Sequence, residues 1–347
     1  MADGPAAGGP ATGGPATGGP ATGGPATGGP AKVGVSFVDV PVRVTAPATS
    51  ANLGPGYDSF GLALARHDVV TARVRNSGLR ISVTGAGSGS VALDEGHLVV
   101  RAMRAAFDLL GGQPAGLELG CDNRIPHGRG LGSSAAAIVT GIELARGLVR
   151  DGRSLLDDGA ALDLASRLEG HPDNVAACLL GGLSLAWAEE QHSSAARVAV
   201  QGVRPVLFIP TEQSATHAAR AALPASVPHA DAAFNASRAA LLVVALTGRP
   251  DLLWTATQDR LHQDYRAAGM PDSAALVKVL RKAGIAAVIS GAGSSVLALA
   301  QSADQATAAT ALSPTGWECA EPAIADGART ETLEGGEYDT PAPVLLP

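Results

Sequence analysis

The sequence predicts an α+β protein of two domains with a cleft between them. Three observations carry this. Strand-like and helix-like patterns alternate through the first half of the 347 residues. In the second half, helical patterns lead to a pair of short apolar β-type runs around a glycine loop. Hydrophobic content is 46% but only 3% is aromatic, which suits a core of small side chains.

Residues 5–29 repeat Pro-Ala-Thr-Gly-Gly, with Ala for Thr in the first copy. This stretch has no charge and no apolar side chain beyond Ala. Burial there cannot offset ordering entropy, so a disordered tail is expected. It lacks the basic start and apolar stretch of a secretory signal. Val42–Ala46 reads as a strand. Asp68–Arg75 and Leu79–Thr84 read as a strand pair broken by Asn76-Ser77-Gly78. Gly96–Leu110 is a helix ended by Gly111-Gly112, and Gly116–Asn123 is a further strand. Gly132–Val149 is the strongest helix, with Ile138, Ile142, Ala145 and Val149 on one face. Asp157–Leu168 follows, with acidic residues at its start, where the helix dipole favours them.

The second half begins near Trp187. Arg197–Val200 and Val203–Ile209 read as strands. Helical patterns follow at Thr216–Ala222, Ala230–Thr247, Pro250–Thr257 and Pro271–Ala283, with another at Ala303–Leu312. Ala283–Ala303 is uncharged and long enough to cross a bilayer. Its middle, however, is Ser290-Gly291-Ala292-Gly293-Ser294-Ser295, flanked by Ala286–Ile289 and Val296–Leu299, which predicts two buried strands instead. The chain after Gly335 is Pro-rich and expected to be irregular.

Net charge is −7 and no long basic run occurs, which argues against nucleic acid or an anionic membrane as partner. Cys121, Cys178 and Cys319 are odd in number and lack metal-type spacing, pointing to a reduced cytoplasm.

Three glycine-rich segments carry the chemistry. The run Pro126-His127-Gly128-Arg129-Gly130-Leu131-Gly132-Ser133-Ser134-Ala135-Ala136 follows a strand and opens the strong helix. Its glycines permit sharp turns that gather backbone N–H groups, and the helix mouth adds unpaired N–H groups and a positive dipole end. Together these suit a phosphate. The run is not a Walker A loop, because no lysine follows the glycines. A second segment, Ala46 to Leu64, presents Asn52 and Asp58 on a loop of small residues, a pairing that also serves ordinary turns. The third is the Ser290–Ser295 loop, where glycine allows close backbone approach or merely a hairpin.

Together these segments resemble the GHMP kinases. Pro126–Ala136 matches their Pro-x-x-x-Gly-Leu-Gly-Ser-Ser-Ala loop with one extra residue, and Ser290–Ser295 matches their third motif. Ala-Pro-Ala-Thr-Ser-Ala-Asn-Leu-Gly-Pro-Gly-Tyr-Asp from Ala46 is similar to the homoserine kinase form of the first motif. Leu168–Ala176, Ile209-Pro210 with Thr216 and Arg220, and Asp259–Arg266 resemble further family segments, so the likeness runs from Val42 to Leu299. Tyr57 stands where Phe is usual, and Ser294-Ser295 where Pro-Thr is common.

The resemblance implies a ribosomal protein S5 domain 2-like N-terminal domain containing a left-handed βαβ crossover, and a ferredoxin-like C-terminal domain. It divides the chain into a tail at 1–34, domains at 35–190 and 191–335, and a tail at 336–347. It implies ATP and Mg²⁺ as cofactors and L-homoserine as acceptor, giving O-phospho-L-homoserine for threonine biosynthesis, in a cytoplasmic enzyme for which a homodimer is one candidate assembly. Pro126–Ala136 would hold the nucleotide, and Ser133, Ser134 and Glu169 the metal, with Asp163 as the alternative carboxylate. Arg220 and Arg266 would pair with the substrate carboxylate, since guanidinium fits that group bidentately. Asp58 would hold the ammonium, and Asn52, His171, Asn174 and Thr216 would complete the site. Asn174 stands where several relatives carry an aspartate base. An amide cannot take a proton at neutral pH, so it would orient the hydroxyl beside Arg220. Threonine, mevalonate or shikimate as acceptor, and a non-catalytic metabolite sensor, remain as alternatives.

Overall fold

The computed structural model describes residues 35–190, 192–211 and 216–334, with residues 216–218 as backbone only. The repeat and the chain after Glu334 lie outside the described residues.

The first strand, β1 (Val42–Ala51), alternates inward Val42, Val44 and Ala46 with outward Arg43 and Thr45, then becomes fully buried. Its register shifts at Pro47/Ala48, where a residue without an N–H is tolerated. It pairs antiparallel with the long β2 (Phe60–Arg75). After the turn come β3 (Gly78–Gly85), α1 (Leu98–Leu110) and β4 (Gly116–Asn123). Gly111 closes α1 in the left-handed region at φ 98°, as its predicted stop requires.

One expectation fails here. β2 and β3 are not hydrogen-bonded partners, because β4 lies between them, antiparallel to β2 and parallel to β3. The turn makes the two strands run in opposite directions, but it does not make them neighbours. Gly116 supplies the physical means of insertion. A Cβ there would stand 2.4 Å from the Ser77 carbonyl carbon, so only glycine lets β4 enter at the turn.

The helices α2 (Ser133–Leu148), α3 (Gly152–Leu155), α4 (Asp158–Glu169) and α5 (Asp173–Leu180) follow. The expected face of α2 is buried at Ile138, Ile142 and Ala145, and Val149 beyond its end is buried too. Asp157 caps α4 by accepting from the Ala160 N–H at 2.8 Å. Next come β5 (Leu183–Glu189) and β6 (His192–Val198), a hairpin attached to the start of β2.

The remaining elements are β7 (Arg204–Ile209), α6 (Thr216–Ala221), α7 (His229–Thr247), α8 (Leu253–Ala256), α9 (Gln263–Arg266), α10 (Pro271–Lys282), β8 (Ala286–Ile289), β9 (Val296–Ala300), α11 (Ala303–Thr310), β10 (Glu318–Ala320) and β11 (Arg329–Thr332). Strands β10-β7-β9-β8 form a second, antiparallel sheet. β6 and β11, which follow residue 190 in the chain, complete the first sheet, β11 lying against β1.

The uncharged 283–303 stretch forms the two buried strands its glycine loop predicted. Ala286, Val288, Leu297 and Leu299 join the large core under α2, α7 and α8, while Ala287, Ile289, Val296 and Ala298 join a second core with α10 and α11. Covered on both faces, these strands read as continuous apolar runs rather than alternations. Among the described helices, α7 alone is long and apolar enough to cross a membrane, by length and a mean hydropathy of 1.2.

Candidate active site

The Pro126–Ala136 segment leaves β4 and enters α2. Gly128, Gly130 and Gly132 lie at φ 66°, 70° and 66°, alternating with other residues in a way that turns successive amides to one side. Among the described residues no side chain caps α2, which leaves its first N–H groups open beside the Ser133 and Ser134 hydroxyls.

The three glycine segments meet. A Cβ on Gly130 would stand 2.2 Å from Ser290 O, so the loops touch backbone to backbone. Ser290 Oγ donates to Gly130 O at 2.7 Å and accepts from Ser50 Oγ at 2.8 Å. The Ser295 N–H donates to Arg129 O, the Gly291 N–H to Ala51 O and Asn52 Nδ2 to Gly291 O at 3.0–3.1 Å. Asn52, Leu53 and Asp58 all adopt left-handed backbone angles, uncommon outside glycine, in the loop they share.

Not every side chain of the segment faces a ligand. Leu131, Ala135 and Ala136 are buried in the core, leaving only their backbones available. The Arg129 guanidinium is bound to the carbonyls of His127, Pro210 and Thr211, so it ties the loop to the end of β7. Pro126 and His127 line an adjoining groove on the side of β2.

A cavity of about 160 Å³ opens in front of the loop, lined by Gly128, Gly130, Gly132, Ser133 and Ser134 on one side. Across it stand Asn52, Asp58, Glu169, His171, Asp173, Asn174, Arg220 and Arg266. The sequence-derived residues of five separate segments thus share one space. Thr216 starts α6, and its side chain lies outside the described residues.

Arg220 pairs with Asp58 at 2.9 Å, and Asn52 Oδ1 accepts the Asp58 N–H at 3.0 Å. Arg266 is 4% exposed and, among the described residues, has no acidic partner within ion-pair distance. Its donors reach Ala219 O, Gly291 O and His262 Nδ1 instead, and burial lowers its pKa. Burial also lowers the His262 pKa, and its Nε2–H donates to Gly54 O at 2.7 Å. The Tyr57 ring lies 5.4 Å from the Arg266 guanidinium and 5.3 Å from the His262 ring.

The acceptor side contains a second carboxylate that the sequence reading did not select. Asp173 is buried, sits 2.5 Å from His171 Nδ1 and accepts the Asn174 N–H at 2.7 Å. Burial pulls the His171 pKa down, but bonding and charge from Asp173, with Glu169 and Asp58, hold it above its ordinary value. Thr49 was also missed. Its hydroxyl donates to Asn174 Oδ1 at 2.7 Å inside the core. Both residues belong to the motif segments, but only the packing of β1 on α5 brings Thr49 to Asn174.

Ser134 Oγ donates to Glu169 Oε2 at 2.6 Å, so a hydroxyl and a carboxylate meet at the helix mouth. Burial raises the Glu169 pKa, partly offset by that bond. Asp163 lies elsewhere, bonded to His192 Nδ1 and the Ser193 N–H of β6. Among the described residues, no three His, Cys, Asp or Glu side chains cluster as metal ligands.

A second cavity, of about 340 Å³, shares Ser133 and Ser134 with the first. Val70, Val91, Leu98 and Val99 make it largely apolar, while His97 Nδ1 and Thr140 Oγ1 are buried polar atoms without a partner among the described residues. An apolar slot with a few unsatisfied polar atoms suits a flat heterocycle.

Residues 97–182 match the family model for the GHMP kinases N terminal domain, and residues 244–314 that for GHMP kinases C terminal. A homoserine kinase of Streptomyces coelicolor is 59% identical over 285 residues, spanning 82% of this chain and 92% of the relative. The chain belongs to the homoserine kinase family of GHMP kinases. Membership makes it an ATP-dependent kinase. A homoserine kinase of Clavibacter michiganensis is 51% identical over 273 residues, covering 78% of this chain and 86% of that one. The crystal structure of homoserine kinase from Cytophaga hutchinsonii superposes with a TM-score of 0.74 at 26% identity, over 85% of this chain and 98% of that one. A mevalonate diphosphate decarboxylase from Staphylococcus aureus shares the fold at TM-score 0.58 and 14% identity.

Proposed function

We propose that this kinase transfers the γ-phosphoryl group of ATP to the side-chain hydroxyl of L-homoserine. The observation that carries the choice of acceptor is Arg266, a buried cation without an acidic partner among the described residues, opening into the same small cavity as the glycine loop. A buried unpaired charge is costly, and a substrate carboxylate would complete it. Arg220 adds a second guanidinium, and Asp58 faces it with a negative charge suited to an ammonium group. An amino acid fits this set, whereas mevalonate or shikimate has no ammonium for Asp58.

The base of ATP would enter the apolar cavity, placing its phosphates at Ser133 and Ser134. Phosphoryl transfer then depends on positioning and charge stabilisation. Open amides of Gly128–Ser134 would hold the phosphates. Thr49 donates to Asn174 Oδ1, which leaves the Asn174 NH₂ to donate to the acceptor oxygen. It orients that oxygen without accepting its proton. Mg²⁺ favours hard oxygen donors, which Ser134 and Glu169 offer, and bound there it would neutralise phosphate charge. The reading includes a soluble, cytoplasmic enzyme, consistent with three free cysteines.

Coupled ADP detection with homoserine, threonine, mevalonate and shikimate tests the proposal. Homoserine should give the highest kcat/KM by at least about tenfold, the value of one good polar contact. Preference for a non-amino-acid alcohol overturns the assignment. Binding without turnover of any acceptor would favour the sensor.

A further inference from the structure

Five tethers fix the glycine loop. Arg129 grips three carbonyls, Ser290 Oγ meets Gly130 O, the Ser295 N–H donates to Arg129 O, and the Thr49 N–H donates to Leu131 O. The fifth lies at the loop's entrance and differs in kind. The β2–β4 ladder stops at Val69↔Asp122, one residue before Asp68 would pair. Asp68 then substitutes its side chain for the missing rungs. Its Oδ1 accepts the Arg124 N–H at 2.6 Å and the Ile125 N–H at 2.8 Å, and Pro126 follows immediately. Arg66 Nε holds the other side of the same peptide by donating to Arg124 O at 2.5 Å.

Asp68 is only 6% exposed, and it lines the apolar cavity together with His97, Ser133, Ser134 and Thr140. A strand end needs no carboxylate for this, since an asparagine or threonine oxygen would accept the same bonds. We propose that Asp68 is a positioning residue for nucleotide binding, its carboxylate holding the Arg124 and Ile125 amides and so setting where the phosphate loop begins. This rests on the assignment of that loop to the ATP phosphates.

The anchor responds to protons. Burial, with Asp122 adding to it, raises the Asp68 pKa to about 6, despite the two amide bonds and Arg66. Other titratable groups around it are Cys121 of β4, Cys178 of α5, and His97 and His127 at the cavity wall. Burial lowers both histidines and raises both thiols, with Asp68 adding to the thiol shifts, so each of these shifts favours the neutral form. Ionised Asp68 makes charge-assisted bonds, about twice as strong as those of the neutral acid. Above pH 6 the loop is held, and below it the grip loosens.

The test is steady-state kinetics of the full chain from pH 5 to 8 for wild type, Asp68→Asn and Asp68→Glu. Asp68→Asn should raise KM for ATP by about fivefold to tenfold at pH 7.5, as expected for halving two such bonds, and change kcat at saturating ATP less than about twofold. The wild-type rise in KM below pH 6, beyond that caused by ATP's own titration, should vanish in this variant. Asp68→Glu should recover part of both. A wild-type KM and pH profile in Asp68→Asn overturns the proposal. Should the variant fold poorly, hydrogen exchange on wild type decides. Protection of the Arg124 and Ile125 amides, corrected for intrinsic rate, should fall as pH drops through about 6 with the Asp68 pKa. Unchanged protection overturns it. Absence of ATP turnover in wild type would remove the kinase reading while leaving this exchange result to judge the anchor.

Discussion

Replacing Gly132 by alanine tests the junction between the loop and the acceptor site. The new Cβ would stand 1.9 Å from Thr49 Oγ1, 3.2 Å from Thr49 Cβ and 3.0 Å from Asn174 Oδ1. It would also occupy φ 66°, where a left-handed non-glycine residue costs roughly 1–2 kcal/mol. Thr49 is fully buried on β1 and has no room to retreat. The hydroxyl must therefore swing away, orphaning Asn174 Oδ1 at a cost of about 1–3 kcal/mol. The sum is about 2–5 kcal/mol of stability. Because Asn174 would then aim its NH₂ wrongly, kcat should fall by about a hundredfold, as for a catalytic contact displaced by an ångström. The assay is a double-mutant cycle with Thr49→Ala, read by urea unfolding and by ATP turnover. Removing the Thr49 hydroxyl leaves only the looser contacts, 3.0 Å to Asn174 Oδ1 and 3.2 Å to Thr49 Cβ, so Gly132→Ala should cost at least about 1 kcal/mol less in that background. Additive costs, or a Gly132→Ala enzyme within twofold of wild-type kcat, would refute the reasoning.

Arg266→Lys keeps a charge but loses the planar fork, so KM for the amino acid should rise about tenfold with KM for ATP unchanged, measured in the same coupled assay. Glu169→Gln should raise the Mg²⁺ concentration for half-maximal activity by about tenfold or more, read from a metal titration. The His171 pKa is raised in the folded state, so its contribution to stability is full below its ordinary value near 6.5 and is lost as pH rises through the higher folded value. Melting curves should therefore show His171→Ala most destabilised relative to wild type at pH 6, with the gap narrowing toward alkaline pH.

Much of this architecture was legible in the sequence because local chemistry dictates it. Gly111, Asp157 and the Gly132–Ser133 mouth mark helix ends by backbone demands that no distant contact alters. The limits have equally specific causes. Strand neighbours are a matter of insertion, and the Gly116 contact that admits β4 involves residues 39 positions apart from Ser77 in the chain. Periodicity did not register α5, because Gly170 and Pro172 precede it and Gly181 ends it after eight residues, and only the family likeness of Leu168–Ala176 pointed to a helix there. In the site, the motifs delivered Asn52, Asp58, His171, Asn174, Arg220 and Arg266 to one cavity. Asp173 and Thr49 were passed over because a carboxylate at a helix start and a threonine in a strand have ordinary uses; the Asp173 partners lie beside it in the chain, whereas only the fold brings Thr49 to Asn174.

β11 is the last described strand, yet it pairs with β1, the first. During synthesis β1 therefore waits with one flank open until some 280 later residues have left the ribosome. An unfilled flank next to fully buried positions is a place where another nascent chain can add itself. Closing that flank thus waits on β11, and a chain cut short before Arg329 is expected to leave the β1 edge open to aggregation.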